Sequence, residues 1–185
     1  VEEPYAAKEP EGHVTLHNLP AFYIQCLLIL PEILDRREED IREALFPNAF
    51  QQAPELREDW EKYARPDLLH LFGDRVEIIR EDLKNFGINP LTLSFNLEIP
   101  ETHLSAWLAS LNAARLLLGD DHGVTAADMD REPILDEEPA EKEIALLQIS
   151  ILGHVQHLLL EPREKFQQGE LDLGDLGEDG PVEKG

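Results

Sequence analysis

Cysteine, basic residues and long apolar runs are all scarce in this 185-residue sequence, and each scarcity closes off a class of protein. Cys26 is the single cysteine, so no disulfide forms within the chain and no cysteine pair is present to hold zinc. It sits in an apolar run and reads as a small buried hydrophobe. Lys and Arg number 16 against 39 Asp and Glu, a formal charge of −23. Affinity for phosphate comes from cations that displace counterions, so direct binding to nucleic acid or an anionic membrane is not expected. The longest apolar stretch, residues 21–30 (AFYIQCLLIL), is too short to cross a bilayer, and no basic-apolar-small signal pattern is present, so a cytoplasmic location is expected. Also missing are a glycine-rich phosphate loop and a Ser or Cys nucleophile motif. No catalytic residue and no cofactor is therefore assigned.

What the sequence does contain is helical periodicity. It is clearest over residues 99–124, where Leu104, Trp107, Leu108, Leu111 and Leu118 recur at helical spacing. Pro100 and Glu101 suit the helix start, and Gly119 supplies the expected stop. Residues 21–34 are apolar almost all round, which marks a buried helix that Pro31 kinks or divides. Further helices are read over 41–45 (ended by Phe46-Pro47), 54–65, 67–86 (with Pro66 breaking or bending the chain before it and Gly87 as a stop) and 140–160. Thr125 is placed to cap a short turn. Residues 13–16 and 91–97 alternate apolar with polar residues and read as strands. Together these predict a mainly α fold: a compact helical bundle of about five or six helices, with a small two-stranded β ribbon pairing 13–17 with 92–97. The expected organisation is a disordered lead-in (1–12), a single helical domain (13–161) and an acidic flexible tail (162–185). Within the tail, Leu171, Leu173 and Leu176 are evenly spaced enough to form a docking motif, although a solvating tail is the simpler reading.

Candidate sites are few. His154 and His157 form an H-x-x-H pair with Glu161 one turn on, a weak candidate for metal. The Glu-x-x-His pairs that build metal sites in bundles are missing, so surface or half-buried histidines are the preferred reading. The Asp120-Asp121-His122 segment reads as an ordinary charged helix end, and His13 and His17 lie too near the expected lead-in to carry weight. Asn112 and Arg115 interrupt an otherwise apolar helix face. An inward-pointing Arg115 needs a carboxylate or carbonyls, sought in residues 35–43 or beside Phe46, because an unpaired buried charge is very costly. Its first reading is a lock fixing helix packing, and its second an anion or peptide-terminus pocket.

The run AWLASLNAARLLLGDDHGV (residues 106–124) resembles the signature of an uncharacterised bacterial family, typical of actinobacteria and often encoded beside ClpS, the Clp protease adaptor. VTLHNLPAF, ALFPNAF and LLQISILGHV agree with it. The resemblance rests chiefly on Trp107, Asn112, Arg115 and the Leu118-Gly119 pair, then on Phe46-Pro47; Ala113 stands where an acidic residue is usual. It implies a proteolysis neighbourhood and no catalytic residue. The resulting expectation is a non-enzymatic interaction or regulatory protein with a protein partner. The alternatives are a metal-dependent enzyme using His154 and His157, or an acidic nucleic-acid mimic that binds a basic protein.

Overall fold

In HVTLHNL the alternation of side chains sends Val14 and Leu16 to one face, where both are fully buried. His13, Thr15 and His17 point to the other. A computed structural model describes residues 3–35, 41, 44–47, 50, 52–90 and 93–164, and in it this strand, β2 (His13–Leu19), has neighbours on both sides. β1 (Tyr5–Glu9) forms an antiparallel hairpin with it, in the register Tyr5 to His17 and Glu9 to His13. On its other edge lies β4 (Ser94–Pro100), antiparallel, with Val14 opposite Ile99 and Leu16 opposite Leu97. β3 (Phe86–Asn89) pairs antiparallel with β4, and the two-residue β5 (Arg163–Glu164) runs parallel to β1, giving the order β3-β4-β2-β1-β5.

This overturns the expected helical bundle with a two-stranded ribbon: the fold is α+β. The segments 13–17 and 94–100 do pair, but as the centre of a five-stranded sheet. The expected lead-in contributes a full strand. It escapes pattern reading because its buried positions, Ala6 and Ala7, are alanines, which have weak strand preference and are held there by neighbours. β3 was hidden for a similar reason: its Gly87 reads as a helix stop. Between Leu16 and Leu19 the β2–β4 register shifts. Asn18 takes up the irregularity at φ 56°, its N–H donating to Asn96 Oδ1 at 3.2 Å.

Helices cover one face of the sheet. α1 (Ala21–Leu28) and α2 (Leu30–Leu34) divide at Ile29, with Pro31 in the first turn of α2, where its missing N–H costs little. α3 (Pro54–Asp59) passes through a π-helical turn (Trp60–Ala64) into α4 (Arg65–Asp82). The widened turn accommodates Pro66, and the helix runs on through it without a break. α5 (Leu104–Asp121) and α7 (Glu141–Leu160) pack along each other, with the short α6 (Ala126–Met129) between them in sequence. Their shared core holds Trp107, Leu111, Ala114, Leu118, Leu152 and Val155 against Val14, Leu16, Leu97 and Ile99 of the sheet. By length and composition α7 is one helix, among the described residues, that would cross a membrane. In this fold it is a core helix, with Ile149, Leu152 and Val155 buried.

Gly119 does not stop α5. The helix continues to Asp121, and the left-handed residue is Gly123, at φ 58°. Val124 N–H reaches Gly119 O at 2.8 Å and Gly123 N–H reaches Asp120 O at 3.3 Å, the paired bonds of a Schellman ending. Thr125 then caps α6 in a reciprocal box with Asp128. The expected tail contributes the strand residues Arg163 and Glu164 near its start, and everything beyond them, with leucines 171, 173 and 176, lies outside the described residues.

Candidate functional site

Along α5, Asn112, Leu116 and Asp120 follow at steps of four on the exposed side, and Arg115 and Gly119 continue the row of Trp107 and Leu111 at its edge. Asn112, Arg115, Leu116, Gly119 and Asp120 line a cleft of about 630 Å³. The Gly123 turn, Val124, Thr125, Ala126 and Met129 also line it, together with Ala44 and Ile149. Leu116 and Met129 are 52% and 45% exposed, so the cleft presents apolar surface to solvent. Asn112 is exposed rather than on the inner face. Arg115 is half-buried at the joint of α5 and α7.

Arg115 meets no acidic partner among the described residues. Its Nη1 donates to Gln156 Oε1 on α7 at 2.8 Å, and its Nε–H is buried with no acceptor. A Cβ on Gly153 would stand 3.4 Å from the guanidinium carbon, an ordinary contact distance, so the arginine lies close against α7. The partner expected in residues 35–43 is not found in the described part of that segment: Asp35 pairs with Arg80 at 2.8 Å, and residues 36–40, 42 and 43 lie outside the described set. Phe46 is occupied elsewhere, its carbonyl accepting from Arg65 and its ring packed edge-on to Phe72. Pro47 beside it is exposed. A smaller cavity of about 210 Å³ shares Arg115, Met129 and Ile149 with the cleft.

The α6 wall is held by charge. Asp128 pairs with Lys142 at 2.7 Å, and Arg131 grips both oxygens of Glu143 at 2.6 and 2.8 Å. Glu143 also accepts the Ile134 N–H at 2.8 Å. The Lys142 ammonium, then the Thr125 donors, hold the Asp128 carboxyl well below the usual range. Arg131, then the Ile134 N–H, pull Glu143 down to about 2. Hydrogen bonds to the charged form are the cause in both.

Trp107 belongs to a different constellation. Its indole N–H donates to Asp82 Oδ2 at 2.8 Å, and His103 Nδ1 lies 3.0 Å from both oxygens of the same carboxylate. Asp82 is 3% exposed, the one carboxylate buried among the described residues. Sequence reasoning missed it because it lies on α4, one more acid in an acidic chain. The only available signal was that a buried tryptophan needs an acceptor.

The histidines do not converge. His154 Nδ1 is bonded to the Tyr23 hydroxyl at 2.6 Å, while His157 is largely exposed and 4.0 Å from Glu161. No group of three His, Cys, Asp or Glu suited to a metal ion is found among the described residues. His13 and His17 instead sit on the open face of the sheet, with His17 stacked on Tyr5 and 3.5 Å from Glu9. Cys26 is buried, and burial pushes its thiol up, away from reactivity. The structure thus brings together Asn112, Arg115 and Gly119, and leaves Phe46, Pro47 and Trp107 outside the cleft. A guanidinium with free donor capacity beside apolar walls can bind an anion carried on an apolar group.

A family model described as Domain of unknown function (DUF2017) matches residues 8–162. No curated protein and no solved structure matches the chain.

Proposed function

Because the chain belongs to this family, a domain of unknown function, we propose its role from geometry: a non-enzymatic interaction protein that engages a protein partner through the α5–α6 cleft. The carrying observation is the cleft itself, lined by exposed Leu116 and Met129 and by a half-buried arginine that has no acidic partner among the described residues. Apolar patches rimmed by polar groups support partner binding. A charge of −23 favours partners that are basic elsewhere on their surface. The gene neighbourhood implied by the resemblance to a bacterial family suggests Clp-dependent proteolysis as the process served.

Affinity purification from native cells tests this, comparing the tagged protein with its Leu116→Asp variant. Leu116 is half exposed, so the variant is expected to fold. Recovery of a reproducible basic partner or of Clp components by the parent, and its loss with Leu116→Asp, is expected. Stoichiometric metal without a partner, or capture indifferent to Leu116, overturns the reading.

A further inference from the structure

We infer that the Arg115 cleft recognises the free C-terminal carboxylate of a peptide whose last side chain is apolar. The inference rests on the cleft being the partner site and adds the chemistry of what enters it. Buried arginines are ordinarily matched by acids, and this chain has 39 acids from which to supply one. Among the described residues Arg115 has only a neutral amide oxygen, Gln156 Oε1, on Nη1. Arg131, nearby at the smaller cavity, shows the other arrangement: it is fully engaged by Glu143 and Asp128. The Nε–H of Arg115 is shut in against α7, and its Nη2 end, without a hydrogen bond among the described residues, is what remains for an outside anion.

The walls select what carries that anion. Leu116, Met129, Val124 and Ile149 line the same cleft as the arginine and offer apolar contact there. Asn112, one turn earlier and exposed, supplies an amide able to bond a backbone group of the incoming chain. Asp120 lines the same cleft and Asp128 the adjoining cavity, and they disfavour a multiply charged anion such as phosphate. A carboxylate carries a single charge and matches the planar guanidinium fork. An apolar terminal residue with a free carboxylate satisfies all three conditions, and an internal acidic side chain does not.

The test is calorimetric titration of the full chain with N-acetyl-Ala-Leu as the free acid, its C-terminal amide, and N-acetyl-Ala-Glu-amide. The free acid is expected to bind at least about tenfold more tightly than either other probe, the discrimination that one charge-assisted bidentate contact supplies. Arg115→Gln should abolish the acid–amide difference, and Arg115→Lys should keep only part of it, since lysine retains the charge without the fork. Melting curves of both variants confirm that they fold. Equal binding of acid and amide, preference for the internal glutamate, or acid binding unchanged in folded Arg115→Gln each overturns the inference. If Leu116→Asp still abolishes partner capture while the acid shows no advantage, the cleft is a partner site that does not read a terminus. If capture ignores Leu116, the underlying reading has failed instead.

Discussion

Removing the Asp82 carboxylate isolates the energetics of a buried side-chain hydrogen bond. In Asp82→Ala, the indole N–H of Trp107, a side chain with no solvent exposure, loses its acceptor at 2.8 Å. Stranding a buried donor costs about 1–3 kcal/mol, and losing the His103 contact adds about 1 kcal/mol. The sum, about 2–4 kcal/mol, corresponds to a fall in Tm of roughly 4–16 °C for a chain of this size. Asp82→Asn keeps an oxygen for Trp107 and turns an amide N–H₂ towards His103, so about half that loss or less is expected. Trp107→Phe removes the donor and leaves the carboxylate to His103. The double variant Asp82→Ala with Trp107→Phe should then lose less than the two single variants together, because no buried donor is stranded. Thermal unfolding followed by circular dichroism measures all four. The reasoning fails if Asp82→Ala melts within about 1 °C of the parent, if Asn is as damaging as Ala, or if the single losses simply add.

Acid should loosen the α6 wall of the cleft selectively. Asp128 and Glu143 have folded pKa values below their unfolded ones, so their contribution to stability is complete above the unfolded carboxylate range. It is lost as pH falls from about 4.5 towards 2. The difference in Tm between the parent and Glu143→Gln is therefore expected to be largest at pH 7 and to shrink through that window; a difference that grows on acidification contradicts the assignment. Gly153→Ala tests how closely Arg115 lies on α7. The added methyl meets the guanidinium at ordinary contact distance, 3.4 Å, so the helix-propensity gain of about 0.5–1 kcal/mol is expected to survive as a higher Tm. A lowered Tm would show that the arginine cannot give way.

What the sequence determined by itself is what depends on neighbours three, four or two residues away. The stripe through Trp107, Leu111 and Leu118, the division of the first helical segment just before Pro31, the Thr125 cap and the alternation in β2 are all local patterns. Local chain geometry alone converts each into an element. The pairing of β2 with β4 was also legible, since two alternating segments each lead into a buried helix and must satisfy their backbones somewhere. Tertiary structure decided the rest. Strands Tyr5–Glu9 and Phe86–Asn89 exist because an edge of the central pair was available to hydrogen-bond them, and their own residues, alanines and a glycine, carry little preference. Asn112 and Arg115 stood out in the sequence, but a helix register cannot say what stands opposite it. That Arg115 would meet Gln156 instead of a carboxylate, that it would lie close against Gly153, and that Asp82 would serve Trp107 from 25 residues away followed only once α4, α5 and α7 were packed.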